Sequence, residues 1–190
     1  MNKNPASAVG RFKEINMKYE ITDIEHPEYK QLRRIRALID IGTDVKAGDL
    51  GGYVESAYNL SQYGDCWLYD DSRMFDHSRM RGNSQMHDHS LMLDYSIMLD
   101  NSRMHDNSMM LDYSQMRDYS HMHGNSRMHD HSEMRDYSQM HGNSRMHDNS
   151  WMKCISYSAL AIALFFTAMT AGIWYVEGEL DFWLALIFGG

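Results

Sequence analysis

The sequence predicts an all-β fold: a three-sided parallel β-helix of about 18 residues per coil, with an N-terminal β cap and one C-terminal transmembrane α-helix. Three observations predict it. From Ser72 to Met152 a six-residue unit, Ser-x-Met-x-Asp/Gly-(His/Asn/Tyr), recurs without a slip, its serines falling at fourteen positions from Ser72 to Ser150. A second period lies over the first, because Met116–Glu133 and Met134–Trp151 agree at 15 of 18 positions and differ at His121/Gln139, His131/Asn149 and Glu133/Trp151. Beyond the repeat, the 22 residues Ile155–Val176 carry no charge. These features divide the chain into a β cap module (1–50), the solenoid (51–153), a membrane helix (154–176) and a short acidic and apolar tail (177–190).

In the first module, Leu32 to Asp40 is strand-like, with Ile35, Ala37 and Ile39 alternating against Arg34, Arg36 and Leu38. Gly51-Gly52 marks a tight turn. Such a segment would cap the first coil and cover an open sheet edge, which otherwise invites aggregation.

In the solenoid, three hexapeptides per turn of a triangular coil account for both periods. Ser and Met two apart share one face of a strand and both point inward. Asp, Gly and Asn suit the corners, because they tolerate unusual backbone angles and bond their own main chain. An α-helix fails on pattern: methionines six apart fall about 240° from one another and give three stripes rather than one apolar face. Disorder is the other alternative for so polar and simple a sequence, but a packed interior accounts for the unbroken register of methionines. Burying each Met gains about 1.5–3 kcal/mol by area against roughly 1.5–2 kcal/mol of lost rotamer entropy. Stability is therefore expected mainly from stacked backbone strands about 4.8 Å apart, around an adaptable interior.

Ile155–Val176 is long enough for about 33 Å of helix, sufficient to cross a bilayer. The alternative is a helix buried in an oligomer. Lys153 precedes the segment, with Arg135 and Arg145 upstream, and Glu177, Glu179 and Asp181 follow it. The basic residues place the solenoid on the cytoplasmic side of a single-pass membrane protein. Trp174 and Tyr175 sit where an interfacial belt is expected, and Phe182–Phe188 is too short to span. Met1–Glu20 lacks the apolar core of a secretory signal, and Trp151 with the membrane helix is expected to cover the last coil.

The segments Arg33-Arg34-Ile35-Arg36-Ala37-Leu38-Ile39-Asp40, Asp44 to Ser56, Asn59-Leu60-Ser61-Gln62 and Gly64 to Asp71 resemble the opening module of bacterial and prophage hexapeptide-repeat proteins. Those are grouped with the trimeric LpxA-like superfamily of left-handed parallel β-helices. The resemblance covers roughly residues 17–153. It implies the fold and a homotrimer, and it implies little about function. Where such proteins commonly carry Ala-x-Val-x-Gly-Asn, this chain has Ser-x-Met-x-Asp-(His/Asn/Tyr), and the membrane tail is a further departure.

The formal charge of −8 argues against general nucleic-acid binding. Cys66 and Cys154 are too far apart in sequence for a metal knuckle or redox pair. Stacking by 18 aligns His87, His105, His123 and His141 in one column, where neighbouring imidazoles could share a transition metal; a solvated column without ligand is the expected state. Arg81, Arg117, Arg135 and Lys153 form a basic column interrupted by Leu99, expected to be balanced by Asp100, Asp118 and Asp136. Phe75, Leu91, Leu93, Met109 and Leu111 fall on one side of successive coils, with Ile97 and Leu99 on the next, and mark an interaction surface for an unidentified protein partner or a second copy.

From Asp71 to Lys153, eleven Asp and one Glu face eight Arg and one Lys, a formal −3, and ten His in the same stretch would carry it to +7 when protonated. The surface charge is therefore expected to invert between about pH 7.5 and 5.5. No catalytic residue and no cofactor is expected. The repeat has no insertion to build a pocket and the chain no phosphate loop or nucleophile elbow. The sequence thus supports a membrane-anchored, non-enzymatic structural or interaction module of phage or prophage origin. The alternatives are a phage-encoded inhibitor of a host defence or nucleic-acid enzyme, with Asp76, Asp94, Asp112, Asp130 and Asp148 as an acidic edge, and an acyltransferase-like enzyme using a histidine base.

Overall fold

A computed structural model describes residues 17–153, and every element in it is a β-strand. Three sheets run along a parallel solenoid of about six coils. The first face contains the strands at Arg73–Met74, Leu91–Met92, Met109–Met110, Arg127–Met128 and Arg145–Met146. The second runs from Trp67–Leu68 to Gln139–Met140, and the third from Arg79–Met80 to Trp151–Lys153. Partners are 18 residues apart and in register, as in Met92↔Met110↔Met128. The N–H groups of one coil donate to carbonyls of the next: Leu91 to Ser108 at 3.0 Å and Leu93 to Met110 at 3.0 Å. The all-β parallel solenoid and the 18-residue coil expected from the repeat are those observed.

The interior is the methionine and serine stack. Met74 through Met134 are fully buried at every sixth position, and Ser72 through Ser132 beside them are equally enclosed. Several serine hydroxyls donate to the carbonyl three residues back, Ser72 to Tyr69 at 2.6 Å and Ser102 to Leu99 at 2.7 Å. Each strand is only two or three residues long within the repeat, so cohesion comes from stacked coils rather than from long ladders.

The corners depend on aspartate. Eleven Asp residues adopt φ between 52° and 61°, with Gly64, Gly82, Gly124 and Gly142 at equivalent places. Aspartate is among the few side chains that enter this left-handed region at modest cost. The expected bond to the residue's own main chain is replaced by one between coils: Asp94 Oδ2 accepts the Asp112 N–H at 3.2 Å, Asp112 Oδ2 that of Asp130 at 3.1 Å, and Asp130 Oδ2 that of Asp148 at 3.0 Å. Like charges stacked in a column are thus each offset by an N–H dipole. Asp130 is held below the usual carboxylate range by the Asp148 N–H, then by His129. Asp112→Asn keeps both the backbone preference and an acceptor. Asp112→Ala loses both and is expected to cost about 1–2 kcal/mol, read as a lower denaturation midpoint; equal midpoints would remove the inter-coil bond from the account.

Before the repeat, β1 (Tyr19–Glu25) pairs antiparallel with β2 (Arg33–Ala37), which pairs antiparallel with β3 (Leu50–Val54). Strand β3 then runs parallel to Arg73–Met74, so two antiparallel strands extend the first face. Ile35 and Ala37 are buried as the alternation predicts, but the strand stops at Ala37 and Ile39 is exposed. Gly51-Gly52 is not a turn; both lie within β3, where the backbones of Leu68 and Ser72 leave no room for a side chain. The sequence also hid a pin between the first strand and the first coil. The buried Lys18 donates its Nζ to Cys66 O at 2.9 Å, Gly64 O at 3.1 Å and Cys66 Sγ at 3.2 Å. Tyr19 donates to Leu60 O at 2.7 Å, and burial pushes its hydroxyl up to about 12. At the other end Trp151 is 68% exposed and so does not cover the last coil. Ile155–Val176 and the tail lie outside the described residues, among which no helix is long and apolar enough to cross a membrane.

Candidate functional site

In each hexapeptide the two residues flanking the inward Met point away from the interior, so every face carries two outward columns. On the second face the aligned histidines form a stack that Tyr69 begins. Ring centroids are 4.3 Å apart for Tyr69–His87, 4.5 Å for His87–His105, 5.0 Å for His105–His123 and 5.1 Å for His123–His141, all within 9° of parallel. His121, in the adjoining column, lies 5.9 Å from His123. Burial lowers the proton affinity of His87, with Asp70 and Asp88 opposing. For His105, burial is followed by repulsion from His87 and His123, and for His121 by that of Arg103.

Imidazole lone pairs lie in the ring plane, so parallel stacked rings aim their nitrogens side by side. A shared metal needs converging nitrogens at about 2.0–2.1 Å, and the stack does not converge them. Among the described residues, one His/Asp trio lies within 4.8 Å: Asp112, His129 and Asp130. Both carboxylates already accept backbone N–H bonds, and Arg127 and Arg145 line the same open groove as Asp112 and His129. Two guanidiniums oppose a cation there.

The histidine stack has a pH consequence. His87, His105 and His121 hold a proton less readily when folded, so the unfolded chain protonates first as pH falls below about 6.5. Their contribution is complete above that value and is lost as pH falls through it. Thermal unfolding is expected at lower temperature near pH 5.5 than near pH 7.5, with a smaller difference in His87→Asn/His105→Asn. An equal difference in both would remove the stack as its cause. The charge inversion, followed by electrophoretic mobility, is expected to be completed late because these rings protonate last.

On the third face the basic column is paired in part, Arg81 being exposed with no ion-pair partner among the described residues. Glu133 meets Arg117 at 2.7 Å and Arg135 at 2.5 Å, and Lys153 lies 3.6 Å from Asp136. Ile97 and Leu99 are half-buried there.

The first face brings the remaining apolar residues together, with one change. Phe75 is 8% exposed, packed with Leu32 and Tyr53 and edge-on to Tyr29 at 5.3 Å. It is therefore covered by the N-terminal segment and is not an outward contact. Leu91 and Leu93 pack against that cluster and stay half-exposed, as do Met109 and Leu111. The same two columns continue as Arg127/His129 and Arg145/His147, and the adjoining corner stacks Tyr95 on Tyr113 at 5.0 Å. Sequence reasoning treated the apolar residues as a patch ending at Leu111. Adding 18 to Met109 and Leu111 would have shown the cationic continuation.

No protein-family model matches this chain, and no curated protein is significantly similar to it.

Proposed function

We propose that this protein is a non-enzymatic interaction module, a β-solenoid rod tethered to a bilayer by Ile155–Val176 and making contacts through its first face. The observation that carries the contact surface is the aliphatic grid of Leu91, Leu93, Met109 and Leu111 on coils without insertions. Side chains of this kind left outward on a flat face favour a partner over bulk water. The uncharged run after Lys153 supports the tether. The resemblance of residues 33–71 supports a left-handed coil, a trimeric assembly and a phage or prophage setting; the basic residues before the span support a cytoplasmic solenoid.

Flotation with vesicles after an alkaline wash tests the tether. The full chain is expected to float and a chain ending at Lys153 to stay behind; a full chain that washes off would overturn the reading. Thermal-shift measurement with coenzyme A and nucleotide sugars tests the other half. Unchanged melting is expected, and a clear rise with either would favour an enzyme.

A further inference from the structure

We propose that the interior of the solenoid binds soft monovalent metal ions, copper(I) being the cellular one, through the methionine thioethers that the three faces of each coil turn inward. The site lies inside the rod and is independent of the outward contact surface.

Packing does not ask for sulfur at these positions. The first coil fills them with Val54, Leu60 and Leu68, all buried, which pair with Met74, Met80 and Met86. From Met74 to Met152 every inward place is then methionine, although Leu91, Leu93, Ile97, Leu99 and Leu111 put aliphatic residues outward in the same repeat. Duplication alone does not account for this. The place just before these methionines has diverged to Arg, Gln, Leu, Ile, Met, His, Glu and Trp. As a core residue methionine covers an apolar area similar to that of leucine, loses more side-chain freedom and specifies the packing less well. What it alone adds is a thioether.

Each coil brings three thioethers, one from each sheet, into one enclosed core; Met110, Met116 and Met122 are such a trio, all fully buried. Neighbouring coils lie about 4.8 Å above and below, so each trio has further sulfur within a side chain's reach. Neutral, polarisable thioethers suit copper(I) and silver(I) and hold hard cations poorly. No acid is buried among the described residues, and a single positive charge is the least that an enclosed site must accommodate. Oxygen stands beside the sulfur. The hydroxyls of Ser90, Ser96, Ser108, Ser114, Ser126 and Ser132 are enclosed without a hydrogen-bond partner among the described residues, whereas buried hydroxyls ordinarily have one. Each lies two residues before an inward methionine on the same strand face, where its lone pairs can offset the charge of an ion. The flexible methionine side chain lets sulfurs converge without moving the backbone. Because the core is closed to water, loading is expected to be slow.

The test uses the full chain in detergent with isotope-labelled methionine methyls, and silver(I) nitrate as a probe that keeps its oxidation state. Silver is expected to shift the methyl signals of Met110, Met116 and Met122, each identified by its loss in the single Met→Leu variant. X-ray absorption at the silver edge is expected to show sulfur around the ion. Met110→Leu/Met116→Leu/Met122→Leu keeps the volume and apolar character of the coil. It is expected to match the parent chain in circular dichroism and to bind fewer silver ions. An unchanged ion count in that variant would overturn the inference. So would inward methyl signals that stay in place while silver binds, which would assign the metal to the outward histidines or the cysteines. A shift confined to Met109, outward on the same coil, or one that accompanies loss of the β-sheet dichroism, would overturn it as well. If the triple variant fails to fold, the methyl signals of the parent chain decide the matter alone.

Discussion

Met110→Asp is expected to abolish the folded solenoid, while Met146→Asp leaves most of it standing. Met110 is fully enclosed, in register between Met92 and Met128, so a carboxylate there has methionine above and below it and no cation in reach. An uncompensated buried charge costs several kcal/mol. Removing the side chain alone, in Met110→Ala, is expected to cost about 2–5 kcal/mol. Coils touch only their neighbours, so a central lesion breaks two interfaces. Met146 is 7% exposed near the end of the described coils, and its change frays one. Denaturation followed by circular dichroism would compare them. Equal losses at the two positions would mean that the methionine stack is not what couples the coils.

Gly52→Ala should separate the N-terminal strands from the solenoid. A Cβ at Gly52 would stand 2.5 Å from Ser72 O, and one at Gly51 would stand 2.7 Å from Leu68 O. Neither carbonyl belongs to a flexible side chain. Ser72 O also accepts the Tyr53 N–H at 2.9 Å, the bond that joins β3 to the next coil, so retreat would break it. Overpacking against backbone is expected to cost about 3 kcal/mol, concentrated where β3 meets the repeat. Gly142→Ala is the comparison: its φ is +64° but nothing lies within 4 Å, so only the backbone preference is lost, about 1 kcal/mol. Trypsin under native conditions should cut the Arg33–Arg36 segment faster in Gly52→Ala than in Gly142→Ala. Equal rates would show that the close approach at β3 is dispensable.

The repeat was legible because its inward positions are chemically uniform. A serine and a methionine at the same two places in every unit admit one buried face, and similarity at 18 residues then makes the coil three-sided. The histidine stack followed by counting. Gly51-Gly52 misled for a physical reason: two glycines signal a turn when the backbone must reverse, but the same absence of Cβ serves a strand that another backbone approaches closely. Phe75 misled differently. Periodicity identified it as outward on its own coil, and could not report that Tyr29 and Leu32, more than 40 residues earlier, fold over it. Trp151 shows the converse, a large aromatic side chain left exposed.

By itself the amino-acid order determined the period, the inward residues and the columns, since these depend only on which side chains recur at a fixed interval. The tertiary structure decided what each column meets: which arginines find Glu133 and which find nothing, which rings stack too parallel to share a metal, and which phenyl ring is covered. Those outcomes depend on distances between residues a coil or more apart, and spacing along a chain sets such distances only after the coil has closed.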